Sequence, residues 1–269
     1  MNQEYLKDIE RFSIVLGLER KIIGVHFLLI KQEYESSDAK PLDFRMTYCR
    51  MLYNAMNGRK IKATKDSFTC QGGPEMLGLR PLTNYERSGK QFDTFRLYED
   101  MAVAHQVQQN LLPISHLAYG VEIGPIEQME KPDVVIMISD AYQAMRIMQG
   151  YTYHYGMASN IGTIGNQGAC SDLTARPYMT NDINLSLLCA GARQSMNTTD
   201  GEVGIGMPIR IFKTVLLGVL DTVNAAQNDL RKKEIQKRVD KSDIDLGFEL
   251  DYGHMYANYP EQYPVEEYK

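Results

Sequence analysis

The chain has 269 residues, 43% hydrophobic and 23% charged, with 34 acidic against 29 basic side chains and a net charge of −5. At that length about three quarters of the unfolded surface can be buried, which excludes disorder as the main state. The mild acidic excess gives no clustered basic face for nucleic acid. The longest apolar runs, Val134–Ile138 and Val215–Leu220, fall far short of the roughly 20 residues of a membrane span.

Taken in chain order, residues 2–20 carry Tyr5, Leu6, Ile9, Phe12, Val15 and Leu16 near a period of 3.6 and predict a helix ended by Gly17. The β-branched run from Ile22 to Ile30 predicts a strand. The polar stretch 31–43, with Ser36, Ser37 and Pro41, reads as a loop. A helix from about Phe44 to Met56 should close at Gly58. A strand over Lys60–Phe68 then delivers the chain to a tight turn, Thr69-Cys70-Gln71-Gly72-Gly73, with Pro74 and Glu75 suited to a first helical turn.

Residues 80–92 read as a loop, Phe92–Leu112 as a helix stopped by Pro113, and Gly120–Ile126 and Val134–Ser139 as strands. Asp140 should cap a helix that closes at Gly150. The Gly-, Asn-, Ser- and Thr-rich stretch 156–176 reads as a loop longer than compact domains carry without a purpose. Asn184–Leu188 is a strand, a turn passes through Asp200-Gly201, and Pro208–Ala226 is a helix continued by a charged stretch to about Asp240.

The whole is a single mixed α/β domain over residues 1–240, with α+β as the variant, strands alternating with helices. An acidic tail over 241–269 follows, carrying Tyr252, Tyr256, Tyr259, Tyr263 and Tyr268. Those tyrosines suit a solvated or partner-packed extension, or else a lid over a site or a bridge between subunits, so a homo-oligomer stays open. The N-terminus shows no basic-then-apolar leader, and the expected address is the cytoplasm.

There the four cysteines are expected as thiols or metal ligands, not disulfides. Three stand beside glycine, as Cys70-Gln71-Gly72-Gly73, Gly168-Ala169-Cys170-Ser171 and Cys189-Ala190-Gly191; Cys49 lies on the second predicted helix. Glycine lets backbone N–H groups converge, and such groups favour thiolate, the form that binds iron or zinc or attacks an electrophile. No C-x₂-C motif occurs, so the usual zinc and ferredoxin runs are absent. Inert packing, a shared metal or iron–sulfur site and a reactive thiol all stay open on the residues alone.

Four other residues are candidates for touching a ligand. His154 sits in the aromatic run Tyr151–Tyr155. Gly165 lies in the Gly162/Gly165/Gly168 stretch, which meets neither nucleotide fingerprint. Arg193 and Glu202 flank the turn at 197–201, where a structural ion pair is the plain alternative.

In order along the chain, the landmarks are Cys49 to Gly58, Cys70-Gln71-Gly72-Gly73 with Leu77-Gly78-Leu79, Lys131-Pro132-Asp133, Gln143-Ala144-Met145-Arg146, Ala169-Cys170-Ser171, Cys189-Ala190-Gly191-Ala192-Arg193, and Glu202 to Pro208. This order resembles the DUF169 (ArCR) family, an archaeal and anaerobe-rich group of unknown function. The resemblance covers roughly residues 10–225 and implies a soluble cytoplasmic protein with its cysteines at family positions. It raises the weight of a thiolate-held iron–sulfur cluster or metal, with Cys49, Cys70, Cys170 and Cys189 as ligands and redox chemistry on a small molecule. The alternatives are a metal-free protein binding a flat organic ligand or tetrapyrrole, and a thiol enzyme using Cys70.

Overall fold

The computed structural model describes residues 3–253. His254 and the tail tyrosines 256, 259, 263 and 268 lie outside the described residues. The helices are α1 (Gln3–Leu16), α2 (Lys31–Ser36), α3 (Tyr48–Met56), α4 (Gly72–Met76), α5 (Asn84–Arg87), α6 (Lys90–Thr94), α7 (Met101–Asn110), α8 (Ala141–Tyr155), α9 (Arg176–Thr180), α10 (Ala190–Met196), α11 (Ile209–Asp221), α12 (Val223–Ala226) and α13 (Asp229–Ser242). The strands are β1 (Ile23–Leu28), β2 (Lys40–Pro41), β3 (Ile61–Thr64), β4 (Gly120–Pro125), β5 (Val134–Asp140), β6 (Asn184–Ser186) and β7 (Glu202–Pro208). A π-helical segment spans Gly168–Ala175. The fold is mixed α/β, as the residue patterns predict.

The chain forms two compact units. Among the described residues, the first holds 20–144 and 159–212; the second holds 3–19, 145–158 and 213–253. The first contains a seven-stranded sheet in the order β2-β3-β4-β1-β5-β7-β6. Its neighbours pair antiparallel except β2 with β3. Alternate residues of β1, Ile23, Val25 and Phe27, share a core with Val121 and Ile123 of β4, Ile136 and Ile138 of β5, and Met51, Leu52 and Ala55 of α3. That is the period-2 pattern of a strand meeting the period-3.6 stripe of a helix.

Within the second unit, Arg238 of α13 donates to the carbonyls of Ile14 and Val15 at the end of α1, at 2.7 and 3.0 Å. These carbonyls have no partner inside the helix.

Several expectations need correction. The stretch 31–43 is not all loop: it holds α2 and the short β2. Loop 80–92 and helix 92–112 are replaced by α5, α6 and α7, because Arg96 adopts φ +53° and breaks the run. The helix expected to close at Gly150 continues to Tyr155. Gly150 is there for close approach: a Cβ on it would lie 2.5 Å from the Val215 carbonyl, and one on Gly218 would lie 2.3 Å from the Gly150 carbonyl.

Residues 202–208 form β7, a strand between β5 and β6 that glycine conceals in the sequence. A Cβ on Gly206 would lie 2.1 Å from the Leu173 carbonyl, so the π-helix presses directly on the strand's backbone. The stretch 156–176 also ends in that π-helix and is not all loop.

Candidate functional site

The four cysteines reach one cavity from three directions, all within the first unit. Residues 46–48 are stitched to 67–69: Met46 N–H donates to the Ser67 carbonyl and Thr69 N–H to that of Met46, each at 3.0 Å. The Thr47 hydroxyl then caps α3 by accepting from Arg50 N–H at 3.2 Å. This places the Cys70 sulfur 3.4 Å from the N–H of Tyr48, one residue before Cys49.

From a second direction comes α10, with Cys189 as its N-cap residue. The Cys189 sulfur accepts from Ala192 N–H at 3.4 Å. The helix lies against α3 through Thr47 Oγ1 donating to Ser195 Oγ at 3.4 Å and the Arg50 guanidinium reaching the Ser195 carbonyl. Leu188, just before Cys189, takes φ +67° while 95% buried. A branched side chain in that region costs about 1–3 kcal/mol and persists only where its surroundings hold it.

The third direction is the π-helix carrying Cys170. Its wide turn shows in Asp172 N–H donating to the Gln167 carbonyl five residues back, at 3.2 Å. Such turns recur at functional sites. Tyr48 OH bonds Thr174 Oγ1 at 2.9 Å and ties the segment to α3. A buried network holds its other side: Asp172 accepts from Ser186 Oγ at 2.8 Å and from Thr163 Oγ1 at 2.5 Å. Burial, only partly offset by these hydroxyls, pushes the Asp172 carboxyl up from its ordinary range.

Glycine makes this convergence steric. A Cβ on Gly72 would stand 3.7 Å from the Cys170 sulfur and 3.1 Å from the Gln167 amide nitrogen. One on Gly73 would stand 3.1 Å from the Cys70 sulfur, and one on Gly168 2.7 Å from Leu188 Cα. Gly191 is different, with nothing within 4 Å.

The cavity has a volume of about 490 Å³. Cys49, Cys70, Cys170 and Cys189 all line it, with Gln71, Gln91, Asn166 and Gln167 as its amides and Phe92, Phe95 and Leu97 as its apolar wall. Among the described residues, no charged side chain lines it. Burial pushes the Cys170 thiol well above its ordinary range, and repulsion from the other three cysteines adds to that. Cys49 is raised by burial and by Cys189 and Cys70. The Cys49 and Cys170 thiols are therefore held neutral until a cation compensates them. Among the described residues, no three His, Cys, Asp or Glu side chains are grouped so as to hold a metal ion.

The other candidates lie elsewhere. His154 is on α8 in the second unit, its ring 4.8 Å from that of Tyr153. Arg193 donates to the carbonyls of Leu187, Thr199 and Glu202. Glu202 pairs with Arg20, accepting from Nη2 at 2.9 Å, and accepts from Thr199 N–H at 2.7 Å. These two residues secure the turn before β7 and do not line the cavity. Gly165 has φ +71° and nothing within 4 Å of a Cβ; only its neighbours 166–168 line the wall. Sequence reasoning missed the glutamines as wall residues. Their signal was the Gln-Gly pair repeated at Gln71-Gly72 and Gln167-Gly168, each within three residues of a cysteine.

A thiol-lined cavity walled by short helices, the π-helical segment and their loops is thus the defining feature of the first unit. Residues 11–218 match the family described as uncharacterised ArCR, DUF169, and the chain belongs to that family. An uncharacterised protein of Methanocaldococcus jannaschii is 23% identical over 220 residues, covering 79% of this chain and 92% of the relative. No solved structure matches the chain. No helix among the described residues is long and apolar enough to cross a membrane.

Proposed function

We propose that the protein is cytoplasmic and holds an iron–sulfur cluster through Cys49, Cys70, Cys170 and Cys189, and that it serves redox chemistry on a small molecule. The observation that carries this reading is the meeting of all four cysteines of the chain in one cavity without charged walls. Four thiolates are the donor set of such clusters. The N–H groups of Tyr48 and Ala192 already donate to two of the sulfurs, and bonds of that kind tune cluster potentials. A bound cluster would supply one-electron transfer.

The test is the visible spectrum of protein purified without oxygen, with iron and sulfide assays. A broad absorption with matching iron and sulfide is expected, and Cys→Ser changes should remove it. Colourless protein that takes up neither iron nor sulfide on anaerobic reconstitution would sink the reading and leave the cavity to a metal-free ligand.

A further inference from the structure

Helix α3 borders a second concavity, also within the first unit. It is a groove of about 700 Å³ between the stretch 38–46, α3 and the residues that lead into β3. That volume is ordinary for a small-molecule site. Its charges do not cancel. Lys40, Arg50, Arg59 and Lys60 line it against Asp38 and Asp43. Lys60 is already taken up by Asp38 and Glu122. The Arg50 guanidinium reaches only the Ser195 carbonyl, at 3.4 Å, and the face of the Tyr53 ring. The side chains of Lys40 and Arg59 make no ion pair among the described residues, and both are exposed. Three cations thus stand against one unpaired carboxylate, Asp43, in a chain whose net charge is −5. Such a local excess draws anions. Beside the cations the groove is apolar, with Leu42, Met46 and Ile61 in its wall and the Phe44 ring 70% exposed.

From these features we infer that the groove binds a nucleoside phosphate. The phosphate meets Arg59, Arg50 and Lys40, the base stacks on Phe44, and Asp43 accepts a hydrogen bond from the base or the sugar. Each part of the ligand answers a part of the groove. Guanidinium groups present paired donors that match phosphate oxygens. An exposed ring gains by stacking on a flat partner. A neutral aromatic molecule would leave the three cations unanswered. Inorganic phosphate would leave Phe44 and most of the volume unfilled. An organic cation would be repelled by the excess charge. Binding of this kind needs no strained backbone and no buried charge, only exposed cations held ready. The inference stands apart from the thiol cavity and from whatever its sulfurs hold.

The test uses three probes: adenosine monophosphate, adenosine, which lacks the phosphate, and ribose phosphate, which lacks the base. Binding to the full chain is followed by ligand-observed NMR titration. Adenosine monophosphate should bind best. Adenosine should be at least about tenfold weaker, the worth of one charge-assisted hydrogen bond. Ribose phosphate should be at least about fivefold weaker, the worth of one stacked ring. Arg59→Ala should bring adenosine monophosphate towards the level of adenosine and leave adenosine unchanged. Phe44→Ala should weaken both adenosine probes and leave ribose phosphate unchanged. Added salt should weaken only the two phosphates.

The exposed Arg59 side chain makes no bond that folding needs; should its variant still fail to fold, Lys40→Ala reads the same charge. Cys49→Ser should leave all three probes unaffected. Equal binding of adenosine monophosphate and adenosine, unchanged adenosine monophosphate affinity in Arg59→Ala or in Phe44→Ala, or no binding at millimolar concentration would overturn the inference. Affinity lost in Cys49→Ser and kept in Arg59→Ala would move the ligand to the thiol cavity and overturn it as well. Iron and sulfide assays judge the cluster separately, so either reading can fall while the other stands.

Discussion

Two cavities share helix α3, and they differ in what it cost to build them. On one side α3 contributes Cys49 to the neutral thiol cavity of about 490 Å³. On the other, Arg50 and Asn54 help line a groove of about 700 Å³ with Lys40, Arg59, Lys60, Asp38 and Asp43. The groove is the larger and the more charged, yet its features are ordinary. Lys60 pairs with exposed Asp38 and with buried Glu122, and the Arg50 guanidinium lies 4.3 Å from the centre of the Tyr53 ring. Arg50 and Arg59 are exposed, where ion pairs contribute little. Around the smaller cavity stand one buried and three half-buried thiols, a leucine at positive φ, a π-turn and an unpaired amide oxygen. Size does not distinguish a working site here; accumulated unfavourable features do.

The largest effect that would break this contrast is steric. Gly168→Ala sets a Cβ 2.7 Å from Leu188 Cα and 2.9 Å from Cys189 N, and backbone cannot step aside as a side chain can. We expect a loss of about 3 kcal/mol of stability, read as a lower denaturant midpoint, together with loss of bound iron. Gly191→Ala, at another glycine flanking a cavity cysteine, has open space and a position inside α10. It should be neutral or up to about 1 kcal/mol stabilising. If both glycines behaved alike, the close packing of the cavity wall would not be what holds the cysteines.

That pair also shows how much was legible in the sequence. Glycines beside three of the cysteines announced close backbone approach, and the structure requires it at Gly72, Gly73 and Gly168 but not at Gly191. Most of the strands were legible because Val, Ile and Phe alternate in them. β7 was hidden because Gly204 and Gly206, poor strand formers, stand between Val203, Ile205 and Met207, and Leu173 of the π-helix presses on both glycines. Gly150 misled for the same reason: it reads as a helix stop when taken locally and is a contact point with Gly218. His154, Arg193 and Glu202 drew attention as chemistry-bearing types. No spacing rule told that Arg193 and Glu202 are occupied by the turn at 197–202, or that His154 lies in the second unit.

A second expectation concerns the acids behind the cavity wall. Glu75 of α4, 2% exposed, and Glu86 share Arg80, whose Nη2 lies 2.6 Å from one and 2.7 Å from the other. Burial, reinforced by Glu86, lifts the Glu75 carboxyl to about 8. Burial also works against Glu86, but its bonds from Arg80, Glu75 and Thr83 outweigh that and hold it at about 2. Between the ordinary 4.5 and about 8, folded Glu75 keeps a proton that the unfolded chain has lost. Its contribution to stability therefore falls as pH rises through that window. Glu86 contributes in the opposite sense: its stabilisation is present above 4.5 and lost as pH falls towards 2. Glu75→Gln should remove the first effect, so the variant gains on the parent as unfolding is followed from pH 5 to 8. A constant difference across that range would show that Glu75 is ionised in the folded chain.

The smallest expected effect sharpens the comparison from the groove side. Arg59 lines the groove, exposed, its backbone N–H bonded to the Asn54 carbonyl at 3.0 Å but its side chain in no hydrogen bond or ion pair among the described residues. Arg50 spends its charge on a ring face and on one long bond to the Ser195 carbonyl. Arg59→Ala should change stability by less than about 0.5 kcal/mol. Arg50→Ala should cost slightly more, about 0.5–1 kcal/mol, through its contact with Tyr53. Neither should alter iron content. The two variants differ because Arg50, on α3, reaches Ser195, a residue of the cavity wall, and Arg59, beyond the end of α3, does not. Iron lost in Arg50→Ala and retained in Arg59→Ala would mean that the groove side of α3 fixes where Cys189 stands. Iron lost in both would mean that the charge of the groove, and not the packing of the cavity, governs what the thiols hold.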